Sequence, residues 1–258
     1  MADNGDGDTG GLPTSIEAAW GERVRPSRGP RPGLSVSGIV GAAVGVAAGE
    51  GLGAVSMGRV AKELGVSTMS LYRYVASKEE LYVLMQEVAF GELPGPPEPG
   101  TGWREGLTEW AHEMRGMFRR NLWVLRVPIS GPPATPNSVA WWDLGMAALD
   151  GTGLDDGTRT SVVLLVSNFV RSDATVMADL EAGAAARGAS PEDVTSGYGR
   201  ALRRLVDPVR YPSVARLLES GIMSEPDNPD YEFLFGLDCL LDGVDALIRR
   251  RASGAPGR

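Results

Sequence analysis

The chain has one cysteine, Cys239, and one histidine, His112, among 258 residues. A single thiol excludes a disulfide within the chain. With a single histidine beside it, no Cys/His cluster exists to hold zinc. Lysine occurs only at Lys62 and Lys78, so the basic residues are nearly all arginine, a bias that reads as genome base composition. The longest apolar run, residues 39–48, falls well short of the roughly 20 residues a bilayer-crossing helix needs. The N-terminus lacks the basic-then-apolar layout of a secretory signal. These absences predict a cytoplasmic protein with no membrane partner, no metal and no cofactor. Enzyme signatures are missing too: there is no Walker loop, no Gly-x-Ser-x-Gly elbow and no grouped carboxylates. Gly49-x-Gly51-x-Gly53 follows a helical stripe and not a strand, so it does not qualify as a dinucleotide loop. The sequence points away from catalysis.

What is present is an ordinary core-forming composition, 43% hydrophobic and 22% charged. The net charge of −8 argues against a nucleic-acid partner if it is spread evenly. It is not spread evenly. From Trp20 to Val75 seven basic residues (Arg23, Arg25, Arg28, Arg31, Arg59, Lys62 and Arg73) face three acidic ones, a local net charge of +4. Residues 1–33 are rich in Gly, Pro, Asp and Ser without apolar periodicity, which predicts a disordered arm, basic in its later part. From residue 34 on, helical periodicity prevails and no strand pattern is found, so the expected fold class is all-α. The Pro/Gly-rich residues 93–100 divide a first module, 34–92, from a second, 101–251, with a disordered tail at 252–258.

Residues 57–75 have the layout of a helix-turn-helix. Ser56 caps one short helix and Ser67 the next, predicted over 68–75. Ala61 is small where two steeply crossing helices touch, and Gly65 supplies the positive φ of the turn. Val66 plugs the turn, while Leu71 and Val75 anchor one narrow edge of the second helix. That leaves Thr68, Met69, Ser70, Tyr72, Arg73 and Tyr74 for phosphates, base edges and thymine methyls. Ser77-Lys78-Glu79-Glu80 is a capping box that opens a further helix, running to about Phe90.

The run Leu71-Tyr72-Arg73-Tyr74-Val75, followed by Lys78-Glu79-Glu80-Leu81, closely resembles the DNA-binding domain of TetR-family repressors. The motif-level likeness covers residues 36–90. It implies groove or phosphate contacts from Thr68, Ser70, Tyr72, Arg73 and Tyr74, a backbone contact from Lys78, and further contacts from the helix carrying Met57 and Arg59. It also implies a C-terminal ligand pocket and a dimer interface.

The second module reads as helices over 103–118, 136–148, 158–187, 191–206, 209–220 and 230–251, with a short apolar one at 122–127. One short recognition helix reads too few base pairs alone, so a homodimer on a palindromic double-stranded operator is expected. The long helices suggest Val162, Val166 and Val170, with Leu237, Leu241, Val244 and Ile248, as its interface. Trp110, Met114, Phe118, Trp141, Trp142, Phe169 and Met177 suit an apolar or aromatic small-molecule effector, and Asp173 could orient it or sit at the dimer seam. The expected function is ligand-responsive repression. Activation, or response to a protein partner, stays open at this point.

Overall fold

Serine side chains start five of the helices. Ser35, Ser56, Ser67, Ser77 and Ser190 each sit in extended backbone and accept, through Oγ, a hydrogen bond from the N–H three residues on. Each satisfies a donor that a helix start would otherwise leave unpaired. A computed structural model describes residues 14–21, 34–91, 93–95, 100–129, 131–222, 228 and 230–253. The helices are α1 (Thr14–Ala19), α2 (Val36–Glu50), α3 (Met57–Glu63), α4 (Thr68–Leu71), α5 (Lys78–Phe90), α6 (Trp103–Arg120), α7 (Pro136–Ala147), α8 (Asp156–Ala185), α9 (Pro191–Leu205), α10 (Pro212–Glu219) and α11 (Tyr231–Ala252). Short 3-10 turns lie at Leu52–Ala54 and Leu122–Arg126. No strand occurs among the described residues, as the all-α expectation requires.

The chain divides into two compact units, residues 1–163 and 164–258, with the boundary inside α8. In the first, α2 packs on α3 and α5, and α3 packs on α4. Their shared core is Ile39, Val40, Ala43, Val60, Ala61, Leu71, Val75, Leu81 and Met85, all buried. Each large side chain among these contributes about 1.5–3 kcal/mol by leaving water. The far end of α5 joins α7 through Trp141, whose Nε1 donates to the Phe90 carbonyl at 3.1 Å. Trp110 of α6 in turn donates its Nε1 to the Trp141 carbonyl at 2.9 Å. Burying an indole N–H without a partner is costly, so these two bonds set how α5, α6 and α7 meet.

Residues 14–19, expected to lack structure, form α1. It packs on α5, buries Ile16, and is followed by Trp20, whose Nε1 donates to the Ala134 carbonyl at 3.0 Å. An isolated six-residue helix is not stable in water, so contacts outside the segment decide its conformation. The arginines of the expected basic arm, Arg23, Arg25, Arg28 and Arg31, lie outside the described residues, as does most of the expected C-terminal tail.

In the second unit α8 and α11 meet through stacked rings of Phe169 and Phe233, 5.8 Å between centroids. Gly236 permits that approach, because a Cβ there would stand 2.6 Å from the Phe169 ring. Helices α9 and α10 pack on one another, with Arg203 Nε donating to the Leu218 carbonyl at 2.9 Å.

Candidate nucleic-acid interface

The turn between α3 and α4 closes as its sequence suggests. Gly65 has φ +66°, and Val66 N–H donates to the Ala61 carbonyl at 3.0 Å, completing the end of α3. Leu71 and Val75 are fully buried. Regular α-helix spans only Thr68–Leu71, shorter than the expected 68–75. Beyond it the chain winds more tightly, and Tyr74 and Val75 N–H both donate to the Leu71 carbonyl. Seating both Leu71 and Val75 in the core draws that last turn inward.

The opposite edge is open to solvent. Met69 is 74% exposed, Tyr72 47% and Tyr74 40%, and Arg73 is exposed beside them. Thr68 and Ser70 are half-buried, and the Ser70 hydroxyl lies 2.9 Å from that of Ser67. Lys78 Nζ stands 5.2 Å above the Tyr82 ring at the start of α5. Hydroxyls, two phenols, a guanidinium and an ammonium thus occupy one stretch of surface, a set suited to phosphate and base-edge contacts.

Arg59 differs from the others. Its Nη2 donates to Glu50 Oε1 at 2.6 Å and its Nη1 to Glu63 Oε2 at 2.7 Å. The hydrogen bond from Arg59 holds the Glu50 carboxyl below its ordinary range, and both carboxylates raise the guanidinium pKa further. Met57, on the same helix, is buried in the core.

The residues expected to line an effector pocket are distributed over both units. Trp110, Met114, Phe118 and Trp141 are buried in the first unit. Trp110 borders a cleft of about 450 Å³ with Leu144, Ala148, Glu109, His112 and Glu113. Trp142 is exposed and borders another of about 470 Å³ with Val139, Asp143, Met146, Asp150 and Arg159. Phe169, Asp173 and Met177 belong to the second unit and are half-buried there. Glu109 and Glu113 were not singled out from sequence. Their spacing with Gly106 and Trp110 along one side of α6 was the available signal.

The residues expected at the dimer interface are placed as follows in the single chain. Val162, Val166, Val170, Leu237, Leu241 and Val244 are buried within the single chain, and Ile248 is half-buried. The apolar side chains that α8 and α11 leave exposed in the second unit include Leu164, Leu165, Val176 and Leu180 on the former, Tyr231, Leu234, Phe235 and Cys239 on the latter.

Comparison with known proteins adds an independent line. Residues 39–85 match the family of bacterial regulatory proteins described as the tetR family, and residues 96–248 match the tetracyclin repressor-like C-terminal domain. The chain is 34% identical over 251 residues to the HTH-type transcriptional repressor DrrR1 of Streptomyces coeruleorubidus, covering 96% of this chain and 91% of that protein. It is 26% identical over 248 residues to the HTH-type transcriptional repressor Rv1353c of Mycobacterium tuberculosis, covering 93% and 90% respectively. Among solved structures, apo ActR of Streptomyces coelicolor superposes with a TM-score of 0.67 at 28% identity, covering 84% of this chain and 98% of that one. ActR in complex with actinorhodin gives 0.69 at 29%, covering 84% and 99%.

Proposed function

Because the chain belongs to the TetR family of bacterial regulatory proteins, we propose that it represses transcription as a homodimer on a palindromic operator and leaves DNA when a small apolar or aromatic effector binds. The observation that carries this reading is the two-sided α4 segment. Leu71 and Val75 are sunk in the core while Met69, Tyr72, Arg73 and Tyr74 are offered outward. A segment that served only to pack would not expose that much aromatic and cationic surface at a turn held this firmly. Residues 34–92 are the reading module, and residues 101–251 carry the effector and dimer functions. The protein acts in the cytoplasm, where its operator is.

Dimerisation follows from the economy of recognition, since one such segment reads few base pairs and two-fold pairing doubles them. The exposed apolar residues of α8 and α11 in the second unit supply a self-complementary surface. An aromatic effector is favoured because ActR has been solved with actinorhodin and with (S)-DNPA, and because each of the two clefts of the first unit offers one tryptophan, Trp110 or Trp142, for stacking. The effector shifts the equilibrium only by the difference in its affinity for the DNA-competent and incompetent states. The α5–α7 junction, where Trp141 bonds to Phe90, is the route by which such a shift reaches α4.

The test is fluorescence anisotropy with the DNA upstream of the protein's own gene, followed by a selection from random duplex. Tight, salt-dependent binding that an aromatic ligand reverses is the expected result. Failure in both the upstream DNA and the selection overturns the reading.

A further inference from the structure

Arg59 lies in the first turn of α3, the helix before the recognition segment, with its exposed neighbours Gly58 and Lys62 along the same edge. Its side chain is only 30% exposed, because Glu50 from the end of α2 and Glu63 from the end of α3 grip one terminal nitrogen each, at 2.6 and 2.7 Å. Charge-assisted bonds of this length occupy the two nitrogens a phosphate would take in the bidentate geometry that makes arginine a good backbone ligand. With Lys62, whose charge also acts on Glu50, the four groups sum to zero, so this corner of an otherwise basic surface offers DNA no net positive charge. The local composition would count Arg59 among the cations available to DNA. The geometry removes it.

We propose that Glu50 and Glu63 withhold Arg59 from the DNA backbone and so set an upper limit on the affinity of the protein for duplex DNA. This rests on the reading of α3 and α4 as the DNA-facing elements. The competitor for Arg59 is a backbone phosphate, which carries no sequence information. Releasing the arginine therefore tightens binding to operator and to random duplex alike. Every phosphate neutralised adds about 0.9 to the slope of log K against log salt on B-form DNA, which turns the proposal into a count.

The experiment measures that slope by anisotropy, on the selected operator and on a random duplex. The proteins are wild type, Arg59→Ala, Glu50→Gln/Glu63→Gln, and the triple variant, each checked for an unchanged circular dichroism melt. The expected result is a wild-type slope for Arg59→Ala. The double glutamine variant should bind roughly two- to five-fold tighter, the range of an exposed ion pair, with a slope steeper by about 0.9. The triple variant returns to the wild-type slope, which shows that the extra contact is Arg59 and not the mere loss of two negative charges. Should Arg59→Ala not fold, Arg59→Gln takes its place, and the single Glu50→Gln still reports the release. A slope that falls by about 0.9 in Arg59→Ala overturns the proposal, since the arginine would already be on the backbone. An unchanged slope in the double glutamine variant overturns it as well. Wild-type protein that binds no duplex overturns the DNA-binding reading itself, and the proposal falls with it.

Discussion

Asn137 and Glu87 are joined three times over. The Asn137 backbone N–H donates to both carboxylate oxygens of Glu87, at 3.1 and 3.0 Å, and the Asn137 side-chain amide donates to the Glu87 carbonyl at 3.0 Å. A carboxylate on α5 thus caps the N-terminal turn of α7, where the helix dipole favours negative charge. Glu87→Ala is expected to cost about 0.5–2 kcal/mol in urea unfolding, because the half-buried Asn137 N–H at the start of α7 loses its capping carboxylate. If α5 carries the effector signal, the same variant keeps its affinity for operator DNA but needs more effector to release it. Anisotropy titrations with and without ligand separate the two effects.

Tyr72→Ala and Arg73→Ala remove exposed groups, so their melting temperatures should stay within about a degree or two of wild type, as surface substitutions do. Operator binding should nevertheless fall at least ten-fold in each. Leu71→Ala should show the reverse order of effects, with about 2–5 kcal/mol of stability lost first and binding lost as its consequence.

Gly236→Ala places a methyl 2.6 Å from the Phe169 ring. Overpacking of this kind costs about 1–3 kcal/mol. Combined with Phe169→Leu the penalty should shrink, since the smaller side chain vacates the contact. A double-mutant cycle in urea, with coupling above about 0.5 kcal/mol, is the expected outcome.

Leu165→Asp and Phe235→Asp put charge on exposed apolar positions. For a dimer built on that surface, light scattering should report folded monomers with much reduced operator affinity. Leu237→Asp and Leu241→Asp bury the charge in the single chain and should instead leave little folded protein. A folded dimer in the first pair of variants would exclude this face as the interface.

The Glu50 carboxyl is held below its ordinary range, near 4, by the hydrogen bond from Arg59. Its share of the pairing is present above the ordinary value and lost only as pH falls through the depressed one. Between about pH 6 and 8 the difference in salt slope between wild type and Glu50→Gln should therefore be flat, and salt titrations at three pH values check it.

Much of this was legible in residue order. The caps Ser56, Ser67 and Ser77 and the Gly65 turn depend on partners three to five positions away, and the anchoring pair Leu71 and Val75 is marked by its four-residue spacing. The same range fixes the helix starts at Pro136 and Pro191. What was not legible came from distant partners. Arg59 counted as a free cation because its bond to Glu50 spans nine positions and a turn. The helix α1 was invisible because Ile16 and Trp20 find their partners on α5 and at Ala134. The burial of Trp110 and Trp141 and the exposure of Trp142 were not legible either, since helical spacing shows which residues share a side but not what that side meets.

By itself the sequence determined that the chain is helical, that residues 57–75 form a helix-turn-helix, and that Met69, Tyr72, Arg73 and Tyr74 are exposed. Local hydrogen bonding and 3.6-residue periodicity suffice for those conclusions. Only the tertiary structure decided which side of α8 and α11 each chain buries within itself. Both helices carry apolar residues on more than one side, Val166 and Val170 against Leu165 and Val176, Leu237 and Leu241 against Leu234 and Phe235. Periodicity cannot rank two apolar faces. The ring of Phe169 against Phe233, admitted by the missing side chain of Gly236, selects one of them, and the other is left exposed.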